Sequence, residues 1–413
     1  MTGRKKFLLI LVLGMITAIG PFSIDMYLPA FGNIAADLHT TVAHVSLSLS
    51  SFFIGISIGQ FIYGPLLDRF GRKKPLYAGI GLYLIASALC ALATSADSLI
   101  ALRFLQALGG CAGMVASRAM VRDLFDVADN AKVFSMLMLV VGVSPIIAPT
   151  LGGYITASLG WHYVFVVLTL MAAVILLAVH FILPESRAPD PGYSLKPGAI
   201  VSRFVSVIKE PQFYTYAFTG AIAAAGLYAY IAGSPSVFME IYKVSEKQYG
   251  WIFALIAAGL IVSSQVNSFL LRKYKSEQII RVALFCQSLT GIALFTASTY
   301  GWIGLEGTII LAMVFLSCQG FTFPNSSALS MAPFSKNAGS ASALMGAIQM
   351  GIGAFSSMMV SVLSNHTALP MTGVMAACSI TSFCLLMIGG KIIRYKATPE
   401  EVKEETVDMI CNS

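Results

Sequence analysis

The sequence predicts an all-α integral membrane protein with twelve transmembrane helices in two six-helix halves. Three observations point there. The 413-residue chain is 57% hydrophobic and only 11% charged, about half the charge fraction of an ordinary soluble domain. Apolar runs of about 20 residues, the length needed to cross a bilayer, recur from end to end. One long hydrophilic stretch, 184–211, separates these runs six and six. The runs are continuous rather than alternating with a period of two, which argues against a β-barrel.

In the first half, 1–183, the runs fall at 7–30, 42–66, 75–95, 98–120, 131–157 and 161–183. The first follows Arg4-Lys5-Lys6, as a secretory leader would. It is longer than a leader's apolar region and no small-residue cleavage site follows it, so a retained helix is expected. The linker, 184–211, carries Pro184, Pro189, Pro191, Pro197 and Pro211 with four cations. The second half, 212–395, has runs at 212–237, 247–270, 278–299, 304–326, 338–363 and 370–391. Residues 396–413 make a charged tail that is expected to be disordered.

Charge placement sets the orientation. Of 26 Lys and Arg, only Lys243, Lys247 and Arg103 lie away from the tails and the even-to-odd loops. Cation-rich short loops stay on the cytoplasmic side, so both termini are expected there. The formal net charge of +7 then reflects membrane retention and contact with anionic headgroups, and nucleic acid is not an expected partner. Cys90, Cys111, Cys286, Cys318, Cys378 and Cys384 lie in apolar runs without a CxxC pair, and read as small buried packing residues. The histidines (His39, His44, His162, His180, His366) are scattered, which argues against a membrane-embedded enzyme. No G-x-x-x-x-G-K-[ST] phosphate loop appears, which argues against a primary pump. No metal or cofactor is expected.

The stretch Gly64-Pro-Leu-Leu-Asp-Arg-Phe-Gly-Arg-Lys-Lys74 reads as a charged loop between the second and third helices. Its carboxylate does nothing for cation-driven retention. Asp68, Arg69 and Arg72 are therefore expected to join Arg118, Arg122 and Asp123 in an ionic cytoplasmic gate that breaks when that side opens. Asp68 can also face the N-terminus of the eleventh helix near Ala338, where backbone N–H groups attract anions.

Asp25 and Arg103 lie deeper. Each is five residues from the outer end of its helix, about 7–8 Å by helical rise. They are expected to approach each other, directly or through water, with a proton on Asp25 competing with Arg103. An ionisable group inside a span is costly and marks function. Loss of water disfavours a carboxylate's charge, which suits a group that loads and releases protons. The alternatives are a permanently paired structural carboxylate and an arginine that braces backbone carbonyls. Tyr27, Gln60, Tyr63, Gln106, Tyr228, Tyr230, Asn267, Gln319, Asn325 and Gln349 are the candidate substrate contacts, a set suited to amphipathic molecules of moderate size. Pro21, Pro145, Pro149, Pro235 and Pro324 can bend cavity-lining helices. Gly339, Ala343, Gly346, Gly351 and Gly353 give the eleventh helix a small face for close packing.

These motifs carry a resemblance. Gly64, Asp68, Arg69, Gly71, Arg72 and Lys73 fit the G-x-x-x-D-R-x-G-R-[KR]-[KR] signature of the major facilitator superfamily, and the resemblance covers roughly 1–395. Ser23-Ile-Asp25-Met-Tyr27-Leu-Pro29-Ala30 is similar to the first-helix motif of the bicyclomycin and chloramphenicol resistance (Bcr/CflA) exporters. Arg103-Phe-Leu-Gln106 resembles the arginine motif of proton-coupled members, with Ala107 where many carry glycine. Ala148-Pro149-Thr-Leu-Gly152-Gly153 resembles the antiporter motif G-P-x-x-G-G, with Ala148 for its first glycine. The resemblance implies a monomeric drug:proton antiporter of the bacterial cytoplasmic (inner) membrane. Its partners would be a small-molecule substrate, protons and the lipid bilayer, and its two halves would rock to alternate access. Export of a natural metabolite such as a siderophore, short peptide or sugar remains open, as does a non-transporting receptor or scaffold.

Overall fold

A computed structural model describes residues 3–192, 195, 197–334 and 338–411. The first span is composite: α1 (Gly3–Asp25), a 3-10 turn (Leu28–Ala30) and α2 (Phe31–Asp37). Five further spans complete the first half: α3 (Val42–Phe70), α4 (Lys73–Cys90), α5 (Ala96–Leu124), α6 (Val127–Leu159) and α7 (His162–Phe181). The linker holds α8 (Pro197–Ile208). The second half begins with α9 (Pro211–Pro235), which tightens into a π-helical turn (Ser236–Ile241). It continues through α10 (Glu246–Leu270), α11 (Ser276–Thr299), α12 (Leu305–Met331), α13 (Ala338–Val362) and α14 (Leu369–Cys411).

Among the described residues, eleven spans are long and apolar enough to cross a membrane on composition alone. The twelfth, α4, is less apolar because it has only 18 residues and opens on Lys73 and Lys74; it packs between α5 and α7. On α7, Leu170, Val174, Leu177 and Phe181 recur at helical spacing and all point outward. A stripe of that kind is stable against lipid tails and not against water. Exposed Tyr300 and Trp302 stack at the α11–α12 turn, the place of interfacial aromatic anchors.

Helix ends follow local chemistry. Thr41 Oγ1 accepts the His44 N–H at the start of α3, and reciprocal capping boxes (Ser95 with Ser98, Ser245 with Gln248) open α5 and α10. Gly71 (φ 81°) and Gly160 (φ 97°) end α3 and α6 in the left-handed region that favours glycine.

Several expectations need correction. The first span is not one helix over 7–30, because it breaks after Asp25. The stretch 64–74 is mostly helix: apolar Leu66 and Leu67 keep α3 running to Phe70, and only Gly71 and Arg72 make the reversal. The tail is helical to Cys411, consistent with its glutamates and lysine being good helix formers. Cys286 and Cys384 are exposed rather than buried. The linker also carries structure. Val207 of α8 packs with Phe213, Ala341 and Leu344, and Phe204 meets Phe61 of α3 edge-on at 5.1 Å.

The halves meet where α3 packs on α13 and α6 on α10. Along α3, Ser46 bonds Ser361, Ser50 Oγ donates to Ser357 Oγ at 2.9 Å, and Ser57 Oγ donates to the Ala347 carbonyl at 2.9 Å. These contacts run from the side away from the linker to the middle of the bundle. Beyond them, toward the linker side, α3 and α13 part around a cavity of about 650 Å³. The far side is shut by close backbone approach: a Cβ on Gly153 would meet the Glu246 carbonyl, and one on Gly250 the Pro149 carbonyl.

Gly153→Val is therefore expected to wedge α6 from α10 and move the population toward a form open on the far side. Spin labels on Leu159 and Lys243 report it. The distance between them lengthens in the variant, whereas an unchanged distribution would show that close approach at Gly153 does not control closure.

Candidate functional site

The centre of the site is the break in the first span. Inside a membrane a freed backbone group needs a partner from the protein. The chain leaves α-helical geometry after Asp25, and the Ser23 carbonyl at the break receives Nη2 of Arg103 at 2.8 Å. Nη1 of Arg103 donates to Gln106 Oε1, and Gln106 Nε2 donates to Ser87 Oγ at 2.7 Å. The guanidinium is fully buried between the rings of Tyr27 and Phe52, 4.2 Å from each centroid. Each ring contact contributes about 0.5–2 kcal/mol. Arg103 thus braces α1, α3 and α5 against one another.

Asp25 and Arg103 form no direct ion pair or hydrogen bond with each other. Similar depth does not mean a shared face, and Arg103 turns into the first half while Asp25 turns out of it. Asp25 is 4% exposed and makes no hydrogen bond or ion pair among the described residues. Its carboxyl lies within electrostatic reach of Tyr228, Tyr230 and Tyr249, all in the second half. Among the described residues the buried Tyr230 hydroxyl makes no close hydrogen bond, with Ser234 nearby. Tyr249, which donates to or accepts from Ser234 at 2.8 Å, was missed in the sequence. Its place at the start of α10 gives no sign that it faces the break.

A second polar cluster lies at the linker side. Arg72 is buried, with Nη1 on Asp68 Oδ1 at 2.9 Å and Nε on Asp123 Oδ2 at 2.8 Å. Burial works against its charge, but the hydrogen bonds and charges of Asp123 and Asp68 outweigh it and hold the Arg72 pKa above the ordinary arginine value. Arg187 reaches Asp68 at 3.4 Å. Glu185 accepts the Arg72 N–H at 2.6 Å and a Lys73 N–H at 3.1 Å, placing a carboxylate on the first turn of α4. Arg69 Nη1 points at the Asp190 carbonyl, 3.5 Å away. The expected gate is corrected in two ways. The bonds of Arg72 tie α3 and α5 within one half, and they are formed while the linker side is open. Arg118 and Arg122 are outside the cluster and line the cavity, as does Asp68, opposite Ala338. Glu185 and Arg187 were missed; an acidic residue inside a cation-rich linker was the available signal.

The proposed substrate contacts separate on inspection. Gln60 lines the cavity. Tyr228 stacks on Phe53 at 4.7 Å across the halves, with Gln349 beside it. Tyr230 faces Asp25 and Phe253. Tyr27, Tyr63 and Gln106 are buried in the first half and do not line the cavity. Tyr27 packs on Phe31 and Phe165, and Tyr63 points toward Gly79. Asn325 donates to Asn267 at 2.7 Å, clasping α12 to α10. Gln319 is buried, and neither amide atom has a partner among the described residues. No group of three metal-ligating side chains occurs among the described residues.

A family model described as Major Facilitator Superfamily matches residues 11–358. A Bacillus subtilis protein named "Uncharacterized MFS-type transporter YdgK" is 33% identical over 91% of this chain and 93% of its own length. A Haemophilus influenzae "Bicyclomycin resistance protein homolog" is 31% identical over 92% and 95%. The Escherichia coli "Multidrug resistance protein MdtL" is 30% identical over 89% and 92%. Among solved structures, a bacterial homolog of the human lysosomal transporter Spinster superposes with a TM-score of 0.73 at 15% identity, covering 95% of this chain and 98% of that one.

Two outcomes follow from the geometry. Arg103→Lys keeps the charge but loses the planar fork and its stacking, and is expected to destabilise the protein by about 2–4 kcal/mol, read by thermal unfolding in detergent. Arg72→Gln leaves Asp68 and Asp123 without their shared cation and is expected to cost about 2 kcal/mol. Wild-type unfolding temperatures in either variant would remove the corresponding brace from the account.

Proposed function

The chain belongs to the major facilitator superfamily, and on that premise we propose that it is a proton-coupled antiporter exporting small amphipathic compounds, antibiotics among them, by alternating access. It is a multi-pass membrane transporter and not an enzyme. The charge distribution supports placing the linker side, both termini and the open cavity in the cytoplasm, where an exporter loads its cargo. Three relatives carry names that speak of transport or of resistance to bicyclomycin or several drugs, which supports cargo of that class.

The observation that carries the coupling is Asp25. It is a buried carboxyl at the break of the first span, without an ion pair among the described residues, aimed at tyrosines of the opposite half. With a proton it is a neutral partner for those hydroxyls. Without one it is an uncompensated charge at the seam between the halves. Exchange of that proton therefore changes how well the halves fit together, which is the requirement for coupling to alternating access.

The test uses proteoliposomes with an imposed pH gradient and bicyclomycin or chloramphenicol as substrate. Wild-type protein accumulates drug in the acidic compartment. Asp25→Asn loses this accumulation by more than about tenfold yet still exchanges drug down its own gradient. Gradient-driven accumulation that survives Asp25→Asn would sink the assignment.

A further inference from the structure

We propose that the linker-side cavity is a binding site for an anionic group, a carboxylate or phosphate on a compact amphipathic molecule, held by Arg118 and Arg122. The site goes beyond the proton-coupled reading and stands without it.

The charges around the cavity are one-sided. Among the described residues that line it, four guanidiniums (Arg72, Arg118, Arg122 and Arg203) stand with one carboxylate, Asp68, and Arg203 has an interaction of its own. Asp68 is already engaged by Arg72 and Arg187, and Arg72 is engaged by Asp123 as well. Arg203 adds its charge from α8. Arg118 and Arg122 are different. They are one turn apart on α5, where like charges repel by a few tenths of a kcal/mol. Neither makes a hydrogen bond or ion pair among the described residues. Each carries five N–H donors in a planar fork that matches a carboxylate or phosphate.

Retention of the loop in the cytoplasm explains the sign of these residues but not their position. Arg118 is a full turn deeper than Arg122 and forms part of the cavity wall between the halves. Both side chains are exposed to the cavity, and an anion bonded to their forks offsets their mutual repulsion. The opposite wall favours the same charge. α13, a 25-residue helix, begins at Ala338 with its positive end toward the cavity, and Gly339 has open space before it. The remaining lining mixes polar Gln60, Ser340 and Ser342 with apolar Leu67, Phe134, Phe204 and Met331. A charged head with an apolar body fits, in a volume of about 650 Å³.

Two sources can supply this chemistry: a free amphipathic anion and the headgroup of an anionic lipid. The test places the full-length protein in phosphatidylcholine nanodiscs with no gradient, and compares 1-naphthoate with neutral 1-naphthamide by calorimetry. Naphthoate is expected to bind about tenfold more tightly than naphthamide or better, and the difference is expected to shrink as salt rises. Arg118→Gln and Arg122→Gln should each collapse the preference between the probes. Equal affinity in wild type, or a preference that survives both substitutions, overturns the proposal. If Arg118→Gln does not fold, Arg122→Gln and the wild-type salt series still decide. Nanodiscs containing phosphatidylglycerol separate the sources. Competition with naphthoate in wild type assigns the site to a lipid phosphate, and its absence assigns a free ligand. Since no proton gradient is present, failure here leaves the Asp25 assignment untouched, and failure of that assignment leaves this one.

Discussion

Arg103 held against the carbonyl of Ser23 is the contact on which the site depends. A helix that stops inside a bilayer exposes backbone groups that lipid cannot satisfy, so a broken first span needs a polar group delivered from another helix. Arg103 delivers it from α5 and is itself kept in place by Gln106, Tyr27 and Phe52. The break in turn brings Met26 against Gly152 of α6, so close that a side chain there would strike the Met26 carbonyl. One buried cation thereby positions three elements of the first half and shapes the backbone that presents Asp25.

The guanidinium is bonded to backbone and amide, and the carboxyl beside the break has no cation partner among the described residues. Asp25 looks across the seam to Tyr228 and Tyr230 rather than back into its own half. The polar chemistry is therefore divided by distance. Near the far side, an unpaired carboxyl faces hydroxyls of the other half. At the linker side, Arg72 fastens α3 to α5 and Glu185 caps α4, giving the first half a rigid edge. Serine contacts between α3 and α13 join the halves between these two regions. The proposed alternating access would move one half against the other about this narrow polar seam.

Much of the fold was legible in the sequence, because the length and continuity of apolar runs are direct consequences of bilayer thickness. The family signature was legible because it depends on a few residue types at fixed spacing. What spacing could not show was azimuth. Asp25 and Arg103 have similar depth and opposite charge, yet they face different halves. Tyr27 and Gln106 are polar residues in spans, yet they are consumed in supporting Arg103. The helix of the linker was hidden among prolines; its apolar positions Phe204, Val207 and Ile208 make sense only when α13 is there to receive them. The acidic character of Glu185 in a cation-rich linker marked it as unusual, but its partner, the start of α4 more than a hundred residues away, leaves no pattern in the sequence.

The proposed antiport requires that Asp25 carry an exchangeable proton that is given up when substrate binds. Infrared difference spectroscopy on the reconstituted protein observes that proton directly. The account predicts a protonated-carboxyl band that disappears when bicyclomycin or another transported drug is added, and that is missing from Asp25→Asn. A substrate-induced spectrum with no carboxyl band, or one identical in Asp25→Asn, would contradict it.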